Sequence, residues 1–383
     1  MDGPLILLEA GPNGGPALFA EPREVLAVRE PEALAPALAR LDAARAEGRY
    51  VAGFIAYEAA YALAPRLAPL SRGEGPLLVM GVFDEPRDAS RLLARADTEA
   101  SRARMTAPEP RVCRAEHARA LAGVKAHILA GDCYQVNLTF PLSAQRVTGT
   151  DLGLYGALRR AATPGHGAYV ALGRGPVVIS CSPELFFRVG SRGNITARPM
   201  KGTRPRDPDP EIDARLAFEL ATSVKDRAEN LMIVDLLRSD LGRLARAGSV
   251  RVPQLYAVER YPTVHQMTST ITAELSAPAA LTRLLPALFP CGSITGAPKL
   301  RAMEIIAALE PEPRGVYCGA IGWMAPDGGA DFSVAIRTLA VTGDELTLNV
   351  GGGVVADSTA DGEWEEALWK ARFAGSAVTP SCG

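Results

Sequence analysis

The chain has 383 residues, of which 48% are hydrophobic and 22% charged, with a formal charge of -2. That composition supplies a large globular core and excludes a basic nucleic-acid-binding surface, because Arg is scattered and interleaved with acids. No run approaches the roughly 18 uninterrupted apolar residues that a membrane span requires.

The opening MDGPLILLEAGPNGG has no basic stretch before its short apolar run, so no signal peptide is expected. Residues 4–8 and 77–83 read as strands. Residues 31–47 are Ala-rich and read as a helix stopped by Gly48. The region 84–112 is charged, with few large apolar groups, and reads as a surface linker or an exposed helix. A helix is expected from about residue 116 to Ala130, ending at Gly131. A strand over 134–140, a helix over 152–160 and three strands between 168 and 200 follow. After a loop at 205–210, one long helical stretch is expected over 211–244, with Leu231, Val234, Leu237 and Leu241 at helical spacing. Strands return at 250–258 and 264–275, and the final third alternates helix, strands and helix. Without a regular βαβ period, the expected class is α+β. The six cysteines, Cys113, Cys133, Cys181, Cys291, Cys318 and Cys382, form no C-x-x-C pair and read as buried, reduced thiols of a cytoplasmic protein.

Several groups carry chemical potential. Glu229 falls inside the long helical stretch. Glu363 and Glu366 lie three apart near the start of the last helix, on one face. Two carboxylates from separate helices, completed by water and an anionic substrate, are a common Mg2+ site, although solvated helices carry the same residues. Gly292-Ser-Ile-Thr-Gly-Ala-Pro-Lys299 feeds a helix and suits anion binding or a tight turn. It is not a nucleotide P-loop, because Lys299 follows Pro298 and precedes Leu300. Gly351, Gly352 and Gly353 end a strand where a backbone can approach a ligand. Lys201, between Met200 and Gly202 at a strand end, is a solvent-facing cation or a desolvated nucleophile. Arg337 reads as a cation inside an apolar strand, in need of an anionic partner. His265 by itself reads as a core histidine. There is no Gly-x-Ser-x-Gly elbow, no amidotransferase-type cysteine and no metalloprotease histidine spacing.

Taken in order, these stretches resemble the chorismate-utilising enzymes, a family that includes anthranilate synthase component I and the isochorismate and salicylate synthases. The resemblance runs from about residue 114 to residue 374. It is carried by Gly-Asp-Cys-Tyr-Gln-Val-Asn-Leu-Thr (131–139), Ser-Pro-Glu-Leu-Phe (182–186), Pro-Met-Lys-Gly-Thr (199–203) and Asp-Arg-Ala-Glu-Asn-Leu-Met-Ile-Val-Asp-Leu-Leu-Arg-Ser-Asp (226–240), with the loops at 292–299 and 351–358. It implies two antiparallel sheets packed face to face with helices outside and an active site in the cleft. The N-terminal region 1–110 would be integrated with a catalytic region 111–383. By resemblance, Glu229 and Glu366 are Mg2+ ligands, with Glu363 a water-mediated one. Gly202, Thr203 and Gly351 to Gly353 contact substrate, and Tyr317 with Arg337 holds the enolpyruvyl carboxylate. His265 stands near the leaving hydroxyl and Glu184 protonates it.

Two positions bear on the choice within the family. Gln135 stands where water-using members have a basic lysine, and an amide cannot deprotonate water. Lys201 matches members that aminate chorismate at C4, where anthranilate synthases usually have alanine. The resemblance then implies that Lys201 attacks C2, ammonia displaces it at C4, and a separate glutamine amidotransferase subunit supplies the ammonia. A lyase on another protein would complete an aromatic amine. Anthranilate synthase chemistry and a non-catalytic chorismate-binding subunit remain as alternatives. Leu7-Leu8-Glu9-Ala10 resembles a tryptophan-site motif with alanine in place of serine, so strong tryptophan feedback is not expected.

Overall fold

Alternation along the strands sets the layers. Strands Leu5–Leu8 and His166–Ala171 send Ile6, Leu8, Ala168 and Val170 to one face, and Leu5, Leu7 and Tyr169 to the other. The inner face packs on Ala52, Phe54, Val79 and Ile321 of a second sheet; the outer face is covered by helices. The computed structural model describes residues 3–72, 75–261 and 264–379. Cys382 lies outside the described residues.

Among the described residues the first sheet has eleven strands, and its main path runs Gly296–Ala297, Gln135–Thr148, Glu345–Val354, Thr338–Thr342, Val177–Ser182, His166–Ala171, Leu5–Leu8, Ala17–Ala20, Arg87–Asp88. The second has ten and runs Met200–Pro205, Val264–Glu274, Asn194–Arg198, Leu185–Val189, Ala330–Val334, Ala320–Met324, Tyr50–Ile55, Leu78–Phe83, Glu24–Val28. Every pairing between these strands is antiparallel. Helices Ser90–Glu99, Asp151–Ala162 and Ala360–Ala371 cover the outside of the first sheet, while Pro31–Ala46, Val224–Gly242, Leu281–Leu288 and Lys299–Leu309 cover the second. This is an α+β fold of two packed antiparallel sheets with outer helices, as expected. No described helix is long and apolar enough to cross a membrane.

Five expectations need correction. Residues 84–112 are no linker but contain the helix Ser90–Glu99, exposed on one face only: Leu92, Ala96, Ala100, Ala103 and Met105 are buried against the helix Asp151–Ala162 and its sheet. Small alanines packed close between two helices gave no large-residue signal. Four strands, not three, lie between 166 and 198. The stretch 211–244 is two helices, Pro210–Thr222 and Val224–Gly242, broken at Ser223. Ser223 is extended at ψ 115° and its hydroxyl accepts from the Asp226 N–H at 3.2 Å, an N-cap inside a helical composition. Leu231 is 42% exposed, and Ile233 joins Val234, Leu237 and Leu241 on the buried stripe. Cys113 is exposed; the other described cysteines are buried and all five are free.

Candidate active site

A cavity of about 600 Å³ opens between one end of the two sheets. From the second sheet comes Lys201. The edge strand Met200–Pro205 pairs Met200 with Thr268 and Thr203 with Gln266, so one extra residue is inserted at Lys201-Gly202. Gly202 takes φ +85°, and a Cβ there would press on Asp226 and Leu220 at 2.9 and 3.0 Å. This bulge places Lys201, Gly202 and Thr203 in the cavity wall, with Thr203 Oγ1 donating to Gln266 Oε1 at 2.9 Å.

The first sheet supplies the opposite wall. Gly353 pairs with Asn137 and Gly351 with Thr139, so alternation puts Asn137, Thr139, Asn349, Gly351 and Gly353 on one face, and all of these but Thr139 line the cavity. A Cβ on Gly353 would collide with Gln135 Nε2 and sit 3.4 Å from Lys201 Nζ. The glycine leaves the space in which the lysine amine lies. Gln135 is 2% exposed and stands behind Gly353, its Nε2 without a partner. Gly352 faces the last helix: a Cβ there would lie 2.7 Å from Glu363 Oε2 and 3.5 Å from Glu366 Oε1.

The charges are arranged around Lys201. Burial lowers its amine from the ordinary value, with Lys370 acting the same way and Glu229, Glu184 and Glu366 opposing. Glu184 is 4% exposed, its Oε1 is unpartnered, and burial pushes its carboxyl up to about 7 against the Ser293 hydroxyl and the Lys201 charge. Burial also raises Glu229, opposed by Lys201 and Lys225, and raises Glu363, opposed by a 2.6 Å hydrogen bond from Ser358. For Glu366 burial pushes up, but the Lys370 charge and hydrogen bond at 2.7 Å outweigh it and the net shift is down.

Glu229, Glu363 and Glu366 thus converge on one end of the cavity from two helices. Among the described residues no group of three or more His, Cys, Asp or Glu is gathered tightly enough to hold a metal alone. The set nevertheless fits a cation that keeps several waters. Glu363 Oε2 is buried without a hydrogen-bond donor and lies beside Glu366, an arrangement that would suit a partly hydrated Mg2+.

Tyr317 and Arg337 line the same cavity. Arg337 does not lie within a strand. It occupies the bend between Ala330–Val334 and Thr338–Thr342 at φ +50°, and burial lowers its guanidinium. No carboxylate of the described residues pairs with it, so an anion from solution is its natural partner.

A model of a chorismate binding enzyme matches residues 4–375. The chain belongs to the chorismate-binding enzyme family. An aminodeoxychorismate synthase component 1 of Klebsiella aerogenes is 48% identical over 67% of this chain and 56% of its own length. An anthranilate synthase component 1 of Streptomyces coelicolor is 43% identical over 69% of this chain and 51% of its own. The chain therefore spans little more than half the length of these relatives. The solved anthranilate synthase component I of Streptococcus pneumoniae shares the fold, with a TM-score of 0.76 at 24% identity, covering 98% of this chain and 93% of that one.

Against this family site, two expectations shift. His265 does not line the cavity. It is fully buried, turned away to Asp213, whose Oδ1 lies 2.8 Å from Nε2. Alternation gives the cavity position to its neighbour Gln266, whose Nε2 donates to the Gly202 carbonyl at 2.8 Å. The loop 292–299 contributes only Ser293 and Ile294; Lys299 is committed to Asp240 at 2.6 Å and to the Leu288 carbonyl at 2.9 Å. Lys370, Asn137, Asn349 and Gln266 were not anticipated. Of these, Lys370 was findable, four residues after Glu366 on one helix.

The segment Leu7-Leu8-Glu9-Ala10, which resembles a tryptophan-site motif, is closed by side chains from elsewhere in the chain. The Ala10 carbonyl accepts from Trp323 Nε1 at 2.7 Å, Glu9 is held by Tyr155 and Arg159, and the remaining gap is about 10 Å³. That volume holds no more than a water. Turnover is expected to be unchanged by millimolar tryptophan; tight, saturable inhibition would overturn this.

Proposed function

We propose that the chain is the synthase component of an aminodeoxychorismate synthase. It converts chorismate and ammonia to 4-amino-4-deoxychorismate, with the ammonia supplied by a separate glutamine amidotransferase subunit. The observation that carries the reading is Lys201: a buried amine with a lowered proton affinity, set on a bulge beside Gly353 and electrostatically coupled to Glu184. The naming of the relatives supports it.

Arg337 and Tyr317 bind the enolpyruvyl carboxylate. Glu229 and Glu366, with Glu363 through water, would hold a Mg2+ ion, which neutralises the ring carboxylate when bound. The neutral Lys201 amine attacks C2, both conjugated ring double bonds shift by one position, and the C4–oxygen bond breaks. Glu184, whose carboxyl burial pushes up to about 7 so that a large share keeps its proton at neutrality, gives that proton to the departing oxygen, which leaves as water. Ammonia then attacks C4, both double bonds shift back, and the lysine departs from C2 as the neutral amine, while the proton shed by the new C4 nitrogen returns to Glu184. Gln135, an amide behind Gly353, cannot serve as a base for water, which favours ammonia as nucleophile.

Mass spectrometry of products from purified protein, chorismate, Mg2+ and ammonium at mildly alkaline pH tests this. An amino product that keeps the enolpyruvyl group supports the proposal. Release of 2-aminobenzoate and pyruvate overturns it in favour of anthranilate synthase chemistry, and absence of turnover favours a binding subunit. Chelation is expected to abolish turnover and added Mg2+ to restore it. Glu366→Gln should raise the Mg2+ concentration for half-activity about 10- to 100-fold.

A further inference from the structure

Behind the cavity wall lies a fully buried ion network that the chemistry above does not use. Arg314 is 4% exposed, and its guanidinium makes four hydrogen bonds. Two go to Glu310, Nε to Oε2 at 2.9 Å and Nη2 to Oε1 at 2.7 Å. The others reach backbone carbonyls of the cavity wall, Nη1 to Ile294 at 2.9 Å and Nη2 to Asn137 at 2.6 Å. Glu310 Oε1 in turn accepts from Thr139 N at 2.8 Å and Thr139 Oγ1 at 3.0 Å. Glu58 takes the Arg314 backbone N–H at 2.7 Å, and the guanidinium lies 4.5 Å over the Tyr57 ring. The gap beside the network is about 20 Å³, too small for a ligand.

We infer that Arg314 is a positioning residue that sets the placement of Glu184 by fixing the Ser293-Ile294 turn against the Asn137 strand. The inference rests on the proposed role of Glu184. Arg314 clamps Ile294 and Asn137 to each other, and the Asn137 N–H donates to the Thr295 carbonyl at 2.8 Å. Ser293, next to Ile294, lines the cavity with Glu184; its hydroxyl meets Cys291 Sγ at 3.2 Å and opposes the rise of the Glu184 carboxyl. Three of these residues, Asn137, Ser293 and Ile294, line the cavity with Glu184. Burying this charge costs far more than an apolar filling would, so stability alone is a poor reason for it. A planar fork holding one carboxylate and two carbonyls in fixed directions is what positioning requires, and a lysine ammonium cannot span all of them.

The test is a double-mutant cycle on chorismate consumption by the full chain with ammonium, using wild type, Arg314→Lys, Ser293→Ala and the double variant. Arg314→Lys is expected to lower kcat about 10- to 100-fold with the chorismate KM nearly unchanged. In the Ser293→Ala background the same change should cost no more than about twofold. Should Arg314→Lys not fold, Thr139→Val, which deletes only the hydroxyl bond to Glu310, serves in the same cycle with a smaller expected loss. A merely stabilising network would lower the melting temperature and leave kcat of the folded protein alone. Unchanged kcat, or losses that multiply in the double variant, overturns the inference. The product identity of the wild type judges the proposed reaction separately, because the ratio between variants is read on total chorismate consumed.

Discussion

Lys201→Ala is expected to cut formation of the C4-amino product by about a thousandfold or more, the scale on which removal of a covalent nucleophile is felt. The protein should fold normally, because the lysine head projects into the cavity beside Gly353 and is not part of a packed layer. Two outcomes accompany the loss. Either chorismate is left unconsumed, or ammonia attacks C2 directly in the space the amine vacated and a C2-amino product accumulates. Both are read by product mass spectrometry, and each is what the two successive displacements proposed for the wild type predict. A variant that makes the C4-amino product at near wild-type rate would remove the lysine adduct from the mechanism. Burial lowers the Lys201 amine, so the neutral, attacking form gains population as pH rises. The value of kcat/KM is therefore expected to gain from this group as it loses its proton.

Glu184→Gln carries the second large effect, a loss of about 10²- to 10⁴-fold in kcat, the usual worth of a positioned general acid. Its carboxyl is pushed up to about 7 by burial. The working form is protonated, so its contribution is full below that value and falls as pH rises through it. In the wild type the alkaline limb of kcat/KM should therefore break near 7. In Glu184→Gln the residual rate should keep rising on the alkaline side, because glutamine cannot lose the proton. An alkaline limb that survives the substitution unchanged would assign it to another group. Glutamine keeps the shape and hydrogen-bonding reach of the acid, so the variant isolates the proton from the packing.

The parts of this site that were legible in the sequence are those in which one residue type must stand in one local context. Lys201 between a proline-led strand and a glycine, Glu184 within Ser-Pro-Glu, and three adjacent glycines at a strand end each carry their own signal, and the cavity gathers all of them except Gly352. Arg337 was recognised as an unpaired cation although its bend was misread as strand, because charge is visible in the sequence and backbone φ is not. What escaped depended on parity and pairing. His265 and Gln266 are neighbours, and only the register of Arg204 with His265 and Thr203 with Gln266 shows which one faces the cavity. Asn137 and Asn349 meet on one face because strands far apart in sequence are adjacent in space. The helix break at Ser223 was hidden since a serine N-cap inside an Ala-Thr-Ser-Val run scarcely alters helical periodicity, yet that break brings Lys225 and Asp226 to the cavity mouth. The sheets themselves followed from the family resemblance more than from periodicity, as strands buried on both faces read as continuous apolar runs.

The pairing of Gln135–Thr148 with Glu345–Val354 has a consequence for how the chain is made. The strand bearing Gln135 and Asn137 leaves the ribosome about 200 residues before the strand that will cover its edge. At roughly 5 to 20 residues per second, that edge waits on the order of 10 to 40 seconds for its partner. During the wait it presents a strand of fourteen residues, half of them apolar, with open hydrogen-bonding groups. Folding yield should accordingly depend on translation speed and on chaperones that shield strand edges, while the finished enzyme, once the last strand closes the sheet, no longer needs either.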